Sequence, residues 1–253
     1  MELNLDNPIA ERKNKTVYRD GDKTIKLFVE NYSKADILNE ALNQARVEEA
    51  TSLKVPKLLA VTMVNNRWAL VSEHIDGTPL DRLMEEHPER QEEYLNRFID
   101  IQLNVLDQTV SGLNRVKEKF KRRINSAENI DYNIKYELLQ RLDGMKSHTK
   151  LCHGDFNPSN IIITENDEAY IIDWSHVTQG NASSDAAKTY LLFSIEGKQE
   201  LAERYLDLFA EKSGIRKINI QRWIPIVAAA QKAKGRQDEQ DFLDKWIDII
   251  DYE

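Results

Sequence analysis

The hydrophobic pattern of this chain changes period once, at Asp76-Gly77, and that change limits the fold more than any other feature of the sequence. Before it, Val17-Tyr18-Arg19 and the run from Thr24 to Val29 favour strand and are separated by Asp20-Gly21-Asp22, a hairpin-type turn. Ser33 followed by Asp36 gives a capping-box pattern, and Ile37, Ala41, Leu42 and Ala45 continue at helical spacing to about Glu49. The runs from Lys57 to Val64 and from Arg67 to Glu73 meet at Asn65-Asn66, a second hairpin signal. After the change, Thr78-Pro79-Leu80-Asp81 combines an N-cap residue, proline at the first helical position and an acid, so a helix is predicted to start there. Helical spacing then dominates to about Lys146 and again from Ser184, with breaks near Gly197, Gly214 and Gly235. Between these stretches, Ile161-Ile162-Ile163 and Tyr170-Ile171-Ile172 flank a polar turn over 165–168 and read as a buried hairpin set among helices. The pattern predicts an α+β chain of two lobes. Residues 1–76 form a small antiparallel sheet with one helix, and 77–253 form a larger, mostly helical lobe.

Composition narrows the partners. The 253 residues are 41% hydrophobic and 31% charged, which suits a folded chain. The 43 acids exceed the 35 Lys and Arg by eight, which argues against a protein that grips nucleic-acid backbones with clustered cations. The longest apolar run, Trp223 to Ala230, is interrupted by Pro225 and is too short to span a bilayer. Glu2 and Asp6 stand where a secretory signal would carry positive charge. Cys152 has no second cysteine to pair with, so a reducing cytoplasm is the expected compartment. Burial among neighbours makes that thiol a small core residue in this reading, not a nucleophile. The basic run from Arg115 to Arg123, interleaved with Val116 and Phe120, reads as a solvated helix face.

The chemistry concentrates in His153-Gly154-Asp155-Phe156-Asn157-Pro158-Ser159-Asn160, followed thirteen residues later by Asp173. A hairpin between Asn160 and Asp173 folds back, so Asp155, Asn160 and Asp173 are expected to converge at one end of it. Mg²⁺ prefers such hard oxygens and keeps its other positions for water and phosphate. A carboxylate left off the metal can accept the proton of an attacking hydroxyl. Phosphoryl transfer requires this set, because the protein mainly positions groups and neutralises phosphate charge.

These residues resemble a known family. His153-x-Asp155-x4-Asn160 matches the spacing of the kinase catalytic loop, and the His-Gly-Asp form with proline before the Asn resembles the aminoglycoside phosphotransferase and choline kinase superfamily, which has a protein-kinase-like fold. Asp173 in Ile171-Ile172-Asp173-Trp174 is similar to that family's metal motif, and Asp185-Ala186 to the acid that braces the catalytic loop. The resemblance implies a Mg²⁺-requiring transfer from ATP, with GTP left open, to a hydroxyl of a small molecule such as an aminoglycoside, amino-alcohol or sugar. It implies Asp155 as the catalytic base, Asn160 and Asp173 as Mg²⁺ ligands, Lys26 on the nucleotide phosphates and Glu40 as its partner, in competition with Glu48 and Glu49. Glu73 to Ile75 resemble the hinge whose backbone reads the adenine edge. His153 reads as structural.

The sequence departs from the pattern in two places. No glycine-rich loop precedes Lys26; Arg12-Lys13-Asn14-Lys15-Thr16 offers cations and a hydroxyl instead. Ser175 stands where a protein kinase has glycine, and no Ala-Pro-Glu element follows, which disfavours a protein kinase. Two alternatives stay open: a non-catalytic nucleotide-binding module, and a metallohydrolase using His153, Asp155, Asp173 and His176. The acidic excess is local, since Gly235 to Glu253 hold seven acids against Arg236 and Lys245. One reading is the outer face of a last helix whose Phe242, Leu243, Trp246, Ile249 and Ile250 pack inward. The other places these acids by the acceptor cleft, where they would favour a cationic substrate.

Overall fold

A computed structural model describes residues 3–247. They form two compact units, and neither is a continuous stretch of chain. The first contains the residues up to Pro88 together with Pro158–His176; the second contains Glu89–Asn157 and the residues from Val177 onward. In chain order the first unit begins with β1 (Pro8–Arg12), β2 (Lys15–Asp20), β3 (Lys23–Phe28), α1 (Lys34–Ala50), β4 (Leu58–Val64), β5 (Arg67–Glu73), β6 (Thr78–Pro79) and α2 (Leu80–Glu86). The second unit follows with α3 (Gln91–Leu106), α4 (Val116–Ser126), α5 (Tyr132–Gly144) and β7 (Lys150–Cys152). The chain returns to the first unit for β8 (Ile161–Ile163) and β9 (Ala169–Ile171). It ends in the second unit with β10 (Thr178–Gly180), α6 (Ala182–Ile195), α7 (Gln199–Ser213), α8 (Lys217–Gln221), α9 (Ile224–Lys232) and α10 (Gln240–Ile247).

In the first unit, five antiparallel strands run in the order β1-β2-β3-β5-β4. Asn65 and Asn66, at φ of 50° and 60°, turn β4 into β5 through the left-handed pair that a two-residue hairpin loop requires. Strand alternation sends Ile25, Leu27, Ala69 and Val71 to one face, where Tyr18, Ala60 and Val64 pack on them. Phe28 and Leu70 point to the other face, against Ile37 and Ala41 of α1. Ser33 caps α1 by accepting the Asp36 amide at 3.2 Å, as the capping pattern predicted. Leu42, included in the predicted helical spacing, is half exposed. The strand β1 was not anticipated. It lies at the sheet edge with Ile9 exposed, so it carries no buried alternation for a sequence pattern to show.

Two further features differ from the predicted arrangement. Thr78 and Pro79 do not open a helix: they pair with Ile163 and Ile162, and α2 starts one residue later with no side-chain cap. The pairing is close. A Cβ on Gly77 would lie 2.4 Å from the Ile163 carbonyl oxygen, so a bare backbone is required there. The hairpin β8–β9 is bound to the first unit at a second point, where the Ile171 amide donates to the Lys54 carbonyl at 2.9 Å. A single division near residue 76 therefore gives way to an interleaved one.

The second unit is mostly helical, with one short ladder in which β7 and β10 pair Cys152 with Thr178. Its core includes Phe98, Phe156, Phe193, Tyr205 and Phe209, with ring centroids 4.8 to 6.0 Å apart. Every residue of α9 is buried, and Pro225 in its first turn donates no helix bond that would be lost. Helices end at the predicted breaks, α7 at Gly214 and α6 just before Gly197.

Candidate active site

Charge pairing organises one side of the site within the first unit. Strand β3 carries Lys26 and helix α1 carries Glu40, and the Lys26 ammonium donates to Glu40 Oε1 at 2.8 Å. Both side chains are largely buried. Glu48 is occupied elsewhere, accepting the Leu58 amide at 2.9 Å. Lys26 Nζ also lies 3.4 Å from Asp173 Oδ1, and Lys15 donates to Asp173 Oδ2 at 3.2 Å. Lys15 is the residue that sequence reasoning passed over as one cation among three in a turn. The register of β2 on β3, which sets Val17 opposite Lys26, brings Lys15 along the same hairpin to this carboxylate.

Burial alone would raise the Asp173 carboxyl, but Lys26 and Lys15 beside it hold it well below the usual carboxylate range. Burial would likewise lower Lys26; Asp173 and Glu40 outweigh it and raise the ammonium above its ordinary value. Asp173 sits at φ of 61°, a left-handed conformation uncommon outside glycine, and the neighbouring Trp174 indole anchors it by donating to the Ile171 carbonyl at 3.0 Å. Strain of this kind concentrates where side-chain direction serves function. Asn160 meets Asp173 at the mouth of the β8–β9 hairpin, where the Ile172 amide donates to the Asn160 carbonyl at 2.9 Å. Asp173 Oδ1 is buried and accepts no hydrogen bond, and a carboxylate with an Asn across the hairpin mouth is the kind of oxygen set that suits a hard divalent cation.

At the end of β5, the Glu73 amide donates to Lys57 at 2.9 Å and the His74 amide to Asp22 at 2.8 Å. Thr24 Oγ1 lies 2.9 Å from His74 Nδ1. These bonds set the strand end, with Ile75 two residues beyond it.

Asp155 belongs to the second unit. It lies on the loop after β7, which α6 braces: Asp185 Oδ1 accepts the Gly154 amide at 2.7 Å, and Thr189 donates to the Phe156 carbonyl at 2.8 Å. Asp185 is buried, and burial pushes its carboxyl up even though Gly154, His153 and Gln102 favour its ionised form. Gln102 donates to Asp185 Oδ2 at 3.3 Å and accepts from the Tyr205 hydroxyl at 2.7 Å. His153 is fully buried and set edge-on to Phe156, the structural part expected of it. Burial pushes the Cys152 thiol well up, away from nucleophile chemistry. Among the described residues no three His, Cys, Asp or Glu side chains cluster as a metal site.

The basic run departs from the solvated face expected of it. Lys119 and Arg123, one turn apart on α4, line a pocket of the second unit with Phe120, Gly154, Asp185 and Lys188. Lys121 and Arg122 are exposed. Two acids of the C-terminal segment are compensated locally: Asp244 pairs with Lys232, and Glu239 accepts from Arg236 at 2.8 Å. Leu243 and Ile247 are buried and Trp246 packs on Tyr190, while Ile249 and Ile250 lie outside the described residues.

Comparison with known proteins gives the family and the fold. The model of a family described as "Phosphotransferase enzyme family" matches residues 7–218. No curated protein matches the sequence. Among solved structures, a thermostable mutant of the aminoglycoside phosphotransferase APH(4)-Ia in its apo form aligns with a TM-score of 0.71 at 12% identity, over 98% of this chain and 93% of that one. A related ternary complex of that enzyme with ADP and hygromycin B aligns with a TM-score of 0.70 at 11% identity, covering 95% and 91%. APH(3'')-Id from Streptomyces rimosus aligns with a TM-score of 0.64 at 15% identity, covering 88% and 92%. At these identities the likeness is one of fold. Among the described residues no helix is long and apolar enough to cross a membrane.

Proposed function

This chain belongs to the phosphotransferase enzyme family, and from that premise we propose that it is a small-molecule kinase that moves the γ-phosphoryl group of ATP to an alcohol with Mg²⁺ bound at Asp173 and Asn160. The observation that carries the reading is the buried Lys26–Glu40 pair set on Asp173, with Lys15 on the other carboxylate oxygen. Isolated like this, two lysines and two acids balance one another; with nucleotide present, the lysines are free to turn to phosphate oxygens. Mg²⁺, when bound, neutralises charge on those oxygens. The Glu73 carbonyl and Ile75 amide are the proposed readers of the adenine edge, where backbone contacts suffice.

Asp155 accepts the proton of the acceptor hydroxyl as its oxygen bonds to the γ-phosphorus. The bond from that phosphorus to the β–γ bridging oxygen breaks, and ADP leaves with the electron pair. Asp185, through the Gly154 amide, fixes the loop that carries the base. The short Lys13-Asn14 turn between β1 and β2 takes the place of a glycine-rich loop.

Replacing Asp155 by Asn is expected to lower kcat about 10²- to 10⁴-fold, the range for losing a general base, with nucleotide affinity retained. Asp173→Asn is expected to weaken Mg–ATP binding as well. Both are read by coupled ADP release over an acceptor panel and by calorimetric nucleotide binding. ATP binding without turnover of any acceptor would point instead to a non-catalytic nucleotide-binding module, and full activity in both variants would refute the assignment.

A further inference from the structure

Building on the phosphotransferase reading, we propose that the acceptor carries an anionic group, a phosphate or carboxylate, held by Lys119, Arg123 and Lys188 in the pocket beside the Asp155 loop. The pocket is lined by these three cations, by Gly154 next to the proposed base, and by apolar walls from Val116, Phe120, Val227 and Ala230. Lys234, just beyond α9, adds a fourth cation, which repels both Lys119 and Lys188.

The charges facing one another here are Lys119 and Arg123 from α4, Lys188 and Asp185 from α6, Lys234 and Glu239 from the C-terminal segment, and Asp155 from the loop. Four cations face three carboxylates here. Asp185 is bound to the Gly154 amide and Gln102, and Glu239 to Arg236 and Gln231. Lys188 donates to a neutral partner, Gln231 Oε1, at 2.6 Å. Asp155 acts on all four cations at once. Holding one base ionised does not need four positive neighbours.

The cluster is costly without an anion. Burial, then repulsion from Arg123 and Lys234, lowers the Lys119 ammonium to about 7; burial lowers Lys234 to about 8; and burial with repulsion from Lys234 takes Lys188 well below its ordinary value. An anionic ligand relieves both the repulsion and the burial, supplying countercharge and replacing lost water. A polycationic acceptor adds a further positive charge to the same space. The pocket thus favours the opposite substrate charge from the acidic tail, two of whose acids Lys232 and Arg236 compensate.

The test compares hydroxyl acceptors matched except for charge: a sugar phosphate, a sugar acid, the parent neutral sugar and an aminoglycoside, each assayed by ADP release with full-length protein and with Lys119→Gln, Arg123→Gln and Lys188→Gln. The anionic acceptors are expected to have the highest kcat/KM. Each variant should raise KM for them by roughly 10- to 100-fold, the loss of one hydrogen bond to a charged group, with the KM for ATP unchanged. The relative rates of the sugar phosphate and the sugar acid identify which anion is bound. Preference for the neutral sugar or the aminoglycoside, in an Asp155-dependent reaction, would overturn the inference and leave the kinase reading standing. Should no acceptor turn over, the kinase reading fails, and the pocket is judged by calorimetric binding of the sugar phosphate alone. Binding that Arg123→Gln abolishes and Lys26→Met spares supports the inference; no binding, or binding lost only in Lys26→Met, overturns it. Arg123 is less buried on α4 than Lys188 on α6, so its variant reports on charge even where the change at buried Lys188 prevents folding.

Discussion

Asp173 gathers more of the site's physics than any other residue, because its two oxygens face two different lysines. A carboxyl held below its ordinary value contributes stability above the unfolded pKa of about 3.9 and loses it as pH falls toward the lower folded value. Asp173→Asn is therefore expected to flatten the acid limb of a urea-unfolding profile below about pH 4. At neutral pH it should also destabilise the fold, since Lys15 and Lys26 would face each other without their shared counter-charge. An unchanged acid limb would place the titration elsewhere. Lys26, Glu40 and Asp173 were legible in the sequence, because strand alternation, helix spacing and a metal-type motif each leave a local trace. Lys15 was not: its role comes from hairpin register, which no run of neighbouring residues encodes.

Secondary elements show where local chemistry loses to tertiary pairing. Thr78-Pro79-Leu80-Asp81 has every local mark of a helix start, yet Thr78 and Pro79 become strand because β8 offers them a ladder. Gly77 makes that ladder possible, and Gly77→Ala must drive a methyl group into the Ile163 backbone. A backbone atom yields poorly, so a loss of about 1–3 kcal/mol is expected in chemical denaturation, in the range of overpacked cores. A loss under a few tenths would mean β6 is free to part from β8. The basic helix α4 repeats the lesson with side chains. Its apolar stripe of Val116, Phe120 and Ile124 was visible as helical spacing, but Lys119 and Arg123 flank that stripe and follow it inward. Cations at i and i+4 beside a buried aromatic are the sign that would have separated them from Lys121 and Arg122.

Across the whole molecule, net charge is a poor guide to local field. The chain carries an excess of eight acids, while the pocket beside the proposed base is lined by cations. If the acceptor is recognised within that pocket, the exposed acids of the C-terminal segment are bystanders. Neutralising Asp238 and Asp241 together is expected to leave KM for every acceptor within about twofold, the scale of a screened surface charge. A large change in steady-state KM would return the tail to the substrate path. The two-lobed α+β character was readable from the change of period at Asp76-Gly77, but the interleaving was not, since it depends on β8 choosing β6 as its neighbour.

That interleaving orders events during synthesis. The five-strand sheet is complete once Glu73 has emerged, but the first unit waits for Pro158–His176 while the 69 residues of Glu89–Asn157 are made. At 5–20 residues per second, this pause lasts roughly 3–14 s. Throughout it Lys26 has Glu40 but neither lysine has Asp173. A nascent chain therefore passes through a period in which the cations proposed to face the phosphates exist without the carboxylate proposed to hold the metal, and the proposed Mg–ATP site is complete only after most of the polypeptide has been made.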